Sequence, residues 1–146
     1  MLSDNLKVLL GSTFVLYTKI HTFHFNVEGP SFPQYHEFLK SFYEETFETI
    51  DTIGEYIRSL DSYTPVNLAR MLELSIIQEQ TKIPRAELMF VELLTNIEQM
   101  IELVKQIFDV ATEMKEQGIS NFMADLQDLY SKKRWMVSSI LKKERA

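Results

Sequence analysis

The sequence contains no cysteine. That excludes disulfide frameworks, thiolate-bound zinc and cysteine nucleophiles, and is compatible with a reducing cytosol without establishing one; a cytoplasmic location is the expectation, and the absence of cysteine leaves the compartment open. No apolar run reaches the roughly 18 to 20 residues that a membrane span needs. The short run Val8 to Leu16 follows an acid, Asp4, where a signal peptide would carry positive charge; neither a leader nor a membrane anchor is expected. Cationic charge is scarce: 15 Lys and Arg stand against 21 Asp and Glu, a formal net charge of −6. Glycine and proline are sparse too, four of each.

What remains is a chain of 146 residues, 45% hydrophobic and 25% charged. This is one domain's worth, with enough apolar content for a core and too much for a disordered or collagen-like chain. Residues 1–146 are read as a single domain. The few breakers, Gly29-Pro30 with Pro33, Pro65, Pro84 and Gly118, divide it into four long segments.

Within each segment apolar residues recur every three to four positions, the helical period. The first segment, about Ser3 to Glu28, carries Leu6, Leu9, Thr13, Leu16, Ile20, His24 and Val27 on one stripe. The second, about Phe32 to Leu60, carries Leu39, Phe42, Thr46, Ile50, Ile53, Ile57 and Leu60. The third, Arg85 to about Gln117, carries Phe90, Leu93, Ile97, Met100, Val104, Ile107 and Ala111. The fourth, from Ile119 or Ser120 to Lys143, carries Phe122, Leu126, Leu129, Met136 and Ile140. The expected fold is all-α, a four-helix bundle. Short joints at Gly29-Pro30 and at Gly118 make each pair antiparallel, whereas the 24 residues from Asp61 to Pro84 are enough to cross a bundle roughly 40 Å long. A long middle crossover is the ferritin-like arrangement, and Val66 to Ile77 is spaced for a short helix within it.

Three histidines exist: His21, His24 and His36. Each reads either as a hydrogen-bonded core residue or as a metal ligand. His24 lies on the apolar stripe, where its nitrogens need partners, and His36 opens the second helix just across the turn. Asp51 and Glu55, at i and i+4, share a helix face and could converge on a cation, or could belong to a solvated charged face. Asp51 is 15 residues from His36, about 22 Å along one helix, so one chain cannot close a site from both. Position i−3 of the histidines holds Thr18, His21 and Pro33, so the Glu-x-x-His motif of single-subunit di-iron bundles is absent. A metal centre would have to combine the first two helices of one subunit with the second helix of another. Phe47, Tyr43 and Gly54 border the acidic face and suit a subunit contact.

The run from His24 to Phe38 (HFNVEGPSFPQYHEF), followed by Asp51 and Glu55, resembles the Dps family, the miniferritins also called DNA-binding proteins from starved cells. The likeness extends through Ile83 to Glu87 and the run Asp128 to Met136 on the last helix. The resemblance implies a ferritin-like bundle with a short helix in its crossover, assembled as a hollow homo-oligomeric shell of twelve subunits. It implies a ferroxidase: iron bound at the two-fold interface by His24 and His36 of one subunit and Asp51 and Glu55 of its partner, Fe(II) oxidised with hydrogen peroxide, and ferric iron stored within.

Three positions depart from that family's pattern. Lys40 stands where an acidic ligand to a second iron is common, which leaves either one iron, or a second that depends on Glu44 or Glu48. Phe25 stands where a tryptophan often follows the first histidine. Asn121 replaces a frequent aspartate of the iron pore, with Asp125 a turn later; Asp125 reads as pore-lining or as a solvent-facing acid favoured near a helix N-terminus. DNA binding is expected to be weak or absent. Lys7 is the only base in the first eighteen residues, and the C-terminal LysLysGluArgAla is short. Its bases also suit a helix C-terminus.

Overall fold

A computed structural model describes residues 1–145. They form five helices, α1 Leu2–Asn26, α2 Phe32–Ser59, α3 Leu68–Leu74, α4 Ala86–Glu113 and α5 Gln117–Leu141, with no strand among the described residues. The long helices pair as α1 with α2 and α4 with α5, and α1 also packs on α4 and α3. The crossover lies between α2 and α4, as expected of the ferritin-like bundle.

The stripes of the first and third long segments are buried throughout, and that of the second is buried except at Ile50 and Leu60, which are only partly covered. Leu6, Leu9, Leu16, Ile20, Leu39, Phe42, Ile53, Ile57, Phe90, Leu93, Ile97 and Met100 are fully excluded from solvent. In α5 the expectation is off by about one position. Phe122, Leu129, Met136 and Ile140 are only partly buried, and the buried stripe is Ile119, Met123, Leu126, Tyr130, Lys133 and Val137. Tyr130 and Lys133 carry polar tips, which disguises the face they belong to. The Lys133 stem lies inside, its ammonium 5.6 Å from the ring centres of Phe38 and Phe42 and paired with Glu45; a long side chain buries methylenes while its charge finds a partner.

The joint between the last two helices also differs. Gly118 lies inside α5, and α4, which ends at Glu113, is closed by Lys115, which takes φ +61° itself. The Glu116 amide donates to Ala111 O at 2.9 Å and the Lys115 amide to Thr112 O at 3.0 Å, the paired bonds that close a helix through a left-handed residue. Asp61, at φ +59°, ends α2 in the same way. The local hydrogen bonds outweigh the absence of glycine there.

The crossover helix is shorter than expected because its ends are fixed by side chains. Asn67 accepts from the Arg70 amide at 2.9 Å, and the Ser75 hydroxyl accepts from the Ile77 amide at 2.9 Å. It is tied to α1 where Ser12 accepts from the Ile76 amide at 3.0 Å. A buried ammonium adds a second tie: Lys19 donates to Asn96 and pairs with Glu92, each at 2.8 Å, and Gln80 of the crossover donates to Glu92 at 2.6 Å. Among the described residues no helix is long and apolar enough to cross a membrane.

Candidate metal centre

The loop 27–31 brings the last turn of α1 against the first turn of α2. Gly29 supplies the bend at φ +122°, a conformation L side chains rarely adopt. The Phe32 amide closes the turn on Gly29 O at 3.0 Å, and Pro33 sits in the first turn of α2, where its missing N–H costs nothing. His24 and His36 thereby face each other, rings stacked 3.8 Å apart and 14° from parallel.

Their hydrogen bonds are reciprocal. His24 Nδ1 donates to the His36 carbonyl at 2.8 Å, and His36 Nδ1 donates to the His24 carbonyl at 2.8 Å. A carbonyl oxygen only accepts, so both protons sit on Nδ1 in the neutral rings, and both Nε2 lone pairs remain for a ligand. Metal-binding imidazoles are usually held in this way, by the nitrogen that does not bind. Val27, 2% exposed between the two, anchors the turn in the core.

Around this pair lies an aromatic layer. His21, one turn before His24, stacks on Tyr43 at 4.0 Å and 13° and on Phe25 at 4.6 Å. Its Nδ1 lies 2.9 Å from the Tyr17 hydroxyl. Burial first, and the nearby His24 imidazole second, lower the His21 pKa below its ordinary 6.5. This contact is legible only as an i, i+4 spacing of Tyr17 and His21, and nothing in the apolar pattern singles it out.

Asp51 and Glu55 are exposed on α2, on the side facing away from the core. They enter no ion pair among the described residues, whereas Glu44 lies 3.8 Å from Lys40 and Glu45 holds Lys133. No cluster of three or more His, Asp or Glu side chains among the described residues of one chain could hold a metal ion. Glu48, Asn121 and Asp125 are also exposed. Phe25, Phe32 and Phe47 stand 64%, 39% and 51% exposed on the same α1–α2 hairpin, an apolar rim beside the histidines and acids.

The ferritin-like domain family matches residues 3–146. A DNA protection during starvation protein of Brevibacillus brevis is 31% identical over 127 residues, 87% of this chain and 85% of the relative. The crystal structure of a Dps protein from Bacillus brevis superposes with a TM-score of 0.93 at 28% identity, covering 97% of this chain and 95% of that one. Dps from Staphylococcus aureus superposes with a TM-score of 0.94 at 26% identity, covering 98% and 96%. With the helix order and the long crossover also in agreement, this chain belongs to the Dps family of ferritin-like proteins.

Proposed function

We propose that the protein is an iron-storing ferroxidase whose centre is shared between two copies, within a shell of twelve. His24 and His36 of one copy and Asp51 and Glu55 of a second bind Fe(II) as substrate, and hydrogen peroxide is the oxidant. The reciprocal bonds between His24 and His36 carry this reading: they fix both imidazoles and leave both Nε2 atoms free, beside an exposed apolar rim suited to a subunit contact. Imidazole with carboxylate is a suitable donor set for iron. Two Fe(II) give up one electron each to one peroxide, which takes two protons and leaves as two waters, so no hydroxyl radical is released. The ferric product is stored inside the shell. The same proposal places the protein in the cytoplasm and gives it little or no affinity for DNA, its surface being net acidic.

The test uses two inactive variants. His36→Ala and Glu55→Ala each abolish the fast rise in ferric absorbance when assembled alone. Shells reassembled from equal amounts of both recover about a quarter of the wild-type amplitude, because half the two-fold pairs are mixed and each mixed pair rebuilds one of its two sites. A centre built within one chain recovers nothing.

A one-iron form of this centre is the second reading, favoured by Lys40. It stands one turn after His36 and is half exposed, and its charge is only loosely met by Glu44 at 3.8 Å. Anaerobic titration separates the two forms: about two Fe(II) per subunit against about one.

A further inference from the structure

Two lysines among the described residues are buried, Lys19 and Lys133, and their surroundings differ. Lys133 meets Glu45 and two aromatic rings. Lys19 of α1 meets a carboxamide and a carboxylate together: its Nζ lies 2.8 Å from Asn96 Oδ1 and 2.8 Å from Glu92 Oε2. Glu92 and Asn96 are at i and i+4 of α4, so one helix face carries both. Lys19 is 5% exposed and Asn96 6%, and the chain neighbours Ile20, Leu93 and Ile97 are fully excluded from solvent. An amine, an acyl group and a proton carrier therefore stand in contact where bulk water does not compete for the acyl carbon.

The orientation suits attack. An ammonium only donates, so the Asn96 oxygen faces Lys19, and Asn96 Nδ2 donates to Gln99 Oε1 at 3.0 Å, which holds the leaving nitrogen away from the nucleophile. Cγ lies one C=O bond, about 1.2 Å, beyond Oδ1, so Nζ is within about 4 Å of it. A small rotation at the end of the flexible Lys19 side chain reaches the roughly 3–3.5 Å of a near-attack arrangement. Glu92 is held by its other oxygen, which accepts from Gln80 at 2.6 Å. A crevice of about 360 Å³ lined in part by Lys19, Glu92, Asn96 and Gln99 gives a small leaving molecule a way out.

We propose that Lys19 and Asn96 join in an isopeptide bond, with Glu92 as the catalytic proton carrier. The ion pair of Lys19 with Glu92 is the state before reaction. Lys19 first gives a proton to Glu92, exchanging a buried ion pair for a neutral amine and acid, a step that burial does not oppose. The amine lone pair forms the Nζ–Cγ bond while the C=O electron pair moves to Oδ1. Glu92 passes its proton to Nδ2 and takes one from the attacking nitrogen. The C=O bond re-forms, the Cγ–Nδ2 bond breaks, and ammonia leaves, carrying off the proton left on Glu92 as ammonium. Nothing is oxidised or reduced. The product ties α1 to α4 between positions 77 residues apart and removes one positive charge.

The experiment uses the assembled full-length protein, incubated warm for days, then denatured and weighed by mass spectrometry. The expected mass is below that of its own sequence by one ammonia, about 17 Da. Its peptide map shows the Lys19 and Asn96 segments joined, with no tryptic cleavage after Lys19. Lys19→Arg keeps a cation but lacks the nucleophilic amine, and Glu92→Gln keeps hydrogen-bonding capacity but cannot carry the proton. Both are expected at full mass, and the Lys7→Met control shows the same ammonia loss as the parent. In denaturing gels the parent, closed into a loop, runs ahead of Lys19→Arg.

A parent of full mass, with separate Lys19 and Asn96 peptides, overturns the proposal. An ammonia loss that persists in Lys19→Arg also overturns it, since an asparagine closing on its own backbone as a succinimide loses the same mass without a lysine. A joined peptide that forms as fast in Glu92→Gln as in the parent refutes the proton-carrier role. If that variant fails to assemble, the parent's peptide map decides alone. None of these readouts involves iron, so the ferroxidase reading stands or falls separately.

Discussion

Gly11 offers a test of how closely the crossover is seated on the bundle. A Cβ at this position would lie 2.4 Å from Met71 O, 3.2 Å from Met71 C and 3.3 Å from Leu74 Cβ. The nearest obstacle is backbone, and that carbonyl already accepts from the Ser75 amide at 3.1 Å, so it cannot turn aside. In Gly11→Ala, α3 must retreat from α1. Helix preference favours alanine by about 1 kcal/mol, while overpacking of this kind costs about 1–3 kcal/mol. The adjacent bond from the Ile76 amide to Ser12, 3.0 Å long, weakens with the retreat and removes about 1 kcal/mol more. The net loss is about 2 kcal/mol, a fall in Tm of about 4–8 °C for a chain of this size. Gly118→Ala is the matched control. Its Cβ would meet only the Tyr56 side chain, at an ordinary 3.5 Å, so helix preference prevails and stability rises by up to about 1 kcal/mol. Calorimetry or urea unfolding at equal protomer concentration reads both, since assembly makes Tm concentration-dependent. If Gly11→Ala unfolds at or above the parent's temperature, the seating of α3 inferred from these distances is wrong.

Three further outcomes are expected. Lys115→Gly relieves a left-handed residue at the end of α4 and stabilises by about 1 kcal/mol, visible as a higher urea midpoint with unchanged slope. Lys19→Met strips the cation from Glu92 and leaves Asn96 Oδ1 without its donor; the cost is about 3 kcal/mol, partly recovered in Lys19→Met/Glu92→Gln, and full stability in the single variant would show the network to be dispensable. Because burial lowers the His21 pKa, the unfolded chain binds a proton near pH 6.5 that the folded one resists. Metal-free protein therefore loses stability as the pH falls below that value, until His21 is also charged in the folded state. His21→Gln gives a shallower decline in Tm over the same range, and an unchanged slope would assign the effect elsewhere.

The contrast between α4 and α5 shows what a period can and cannot convey. The α4 stripe from Phe90 to Ala111 is apolar at every position and is buried throughout. The α5 stripe passes through Tyr130 and Lys133, and a residue with an apolar stem and a polar tip is ambiguous until something stands opposite it. Glu45, Phe38 and Phe42, from a distant stretch of chain, settle where Lys133 goes. Likewise Gly118 is the obvious breaker by composition, yet the break falls at Lys115, where two backbone hydrogen bonds compensate for the left-handed conformation.

The candidate centre divides along the same line. Residue type and spacing leave His24, His36, Asp51 and Glu55 open between ligands and ordinary core or solvated residues, and the resemblance to the Dps family selects them; the length of a helix forbids one chain from joining them, because rise per residue is fixed by backbone geometry. Only the tertiary structure decides that each imidazole donates to the other's carbonyl, that His21 bridges Tyr17 and Tyr43, and that Lys40 leans toward Glu44. Those are matters of ring orientation and hydrogen-bond direction across a turn, and they depend on where two helices meet rather than on what either one is made of.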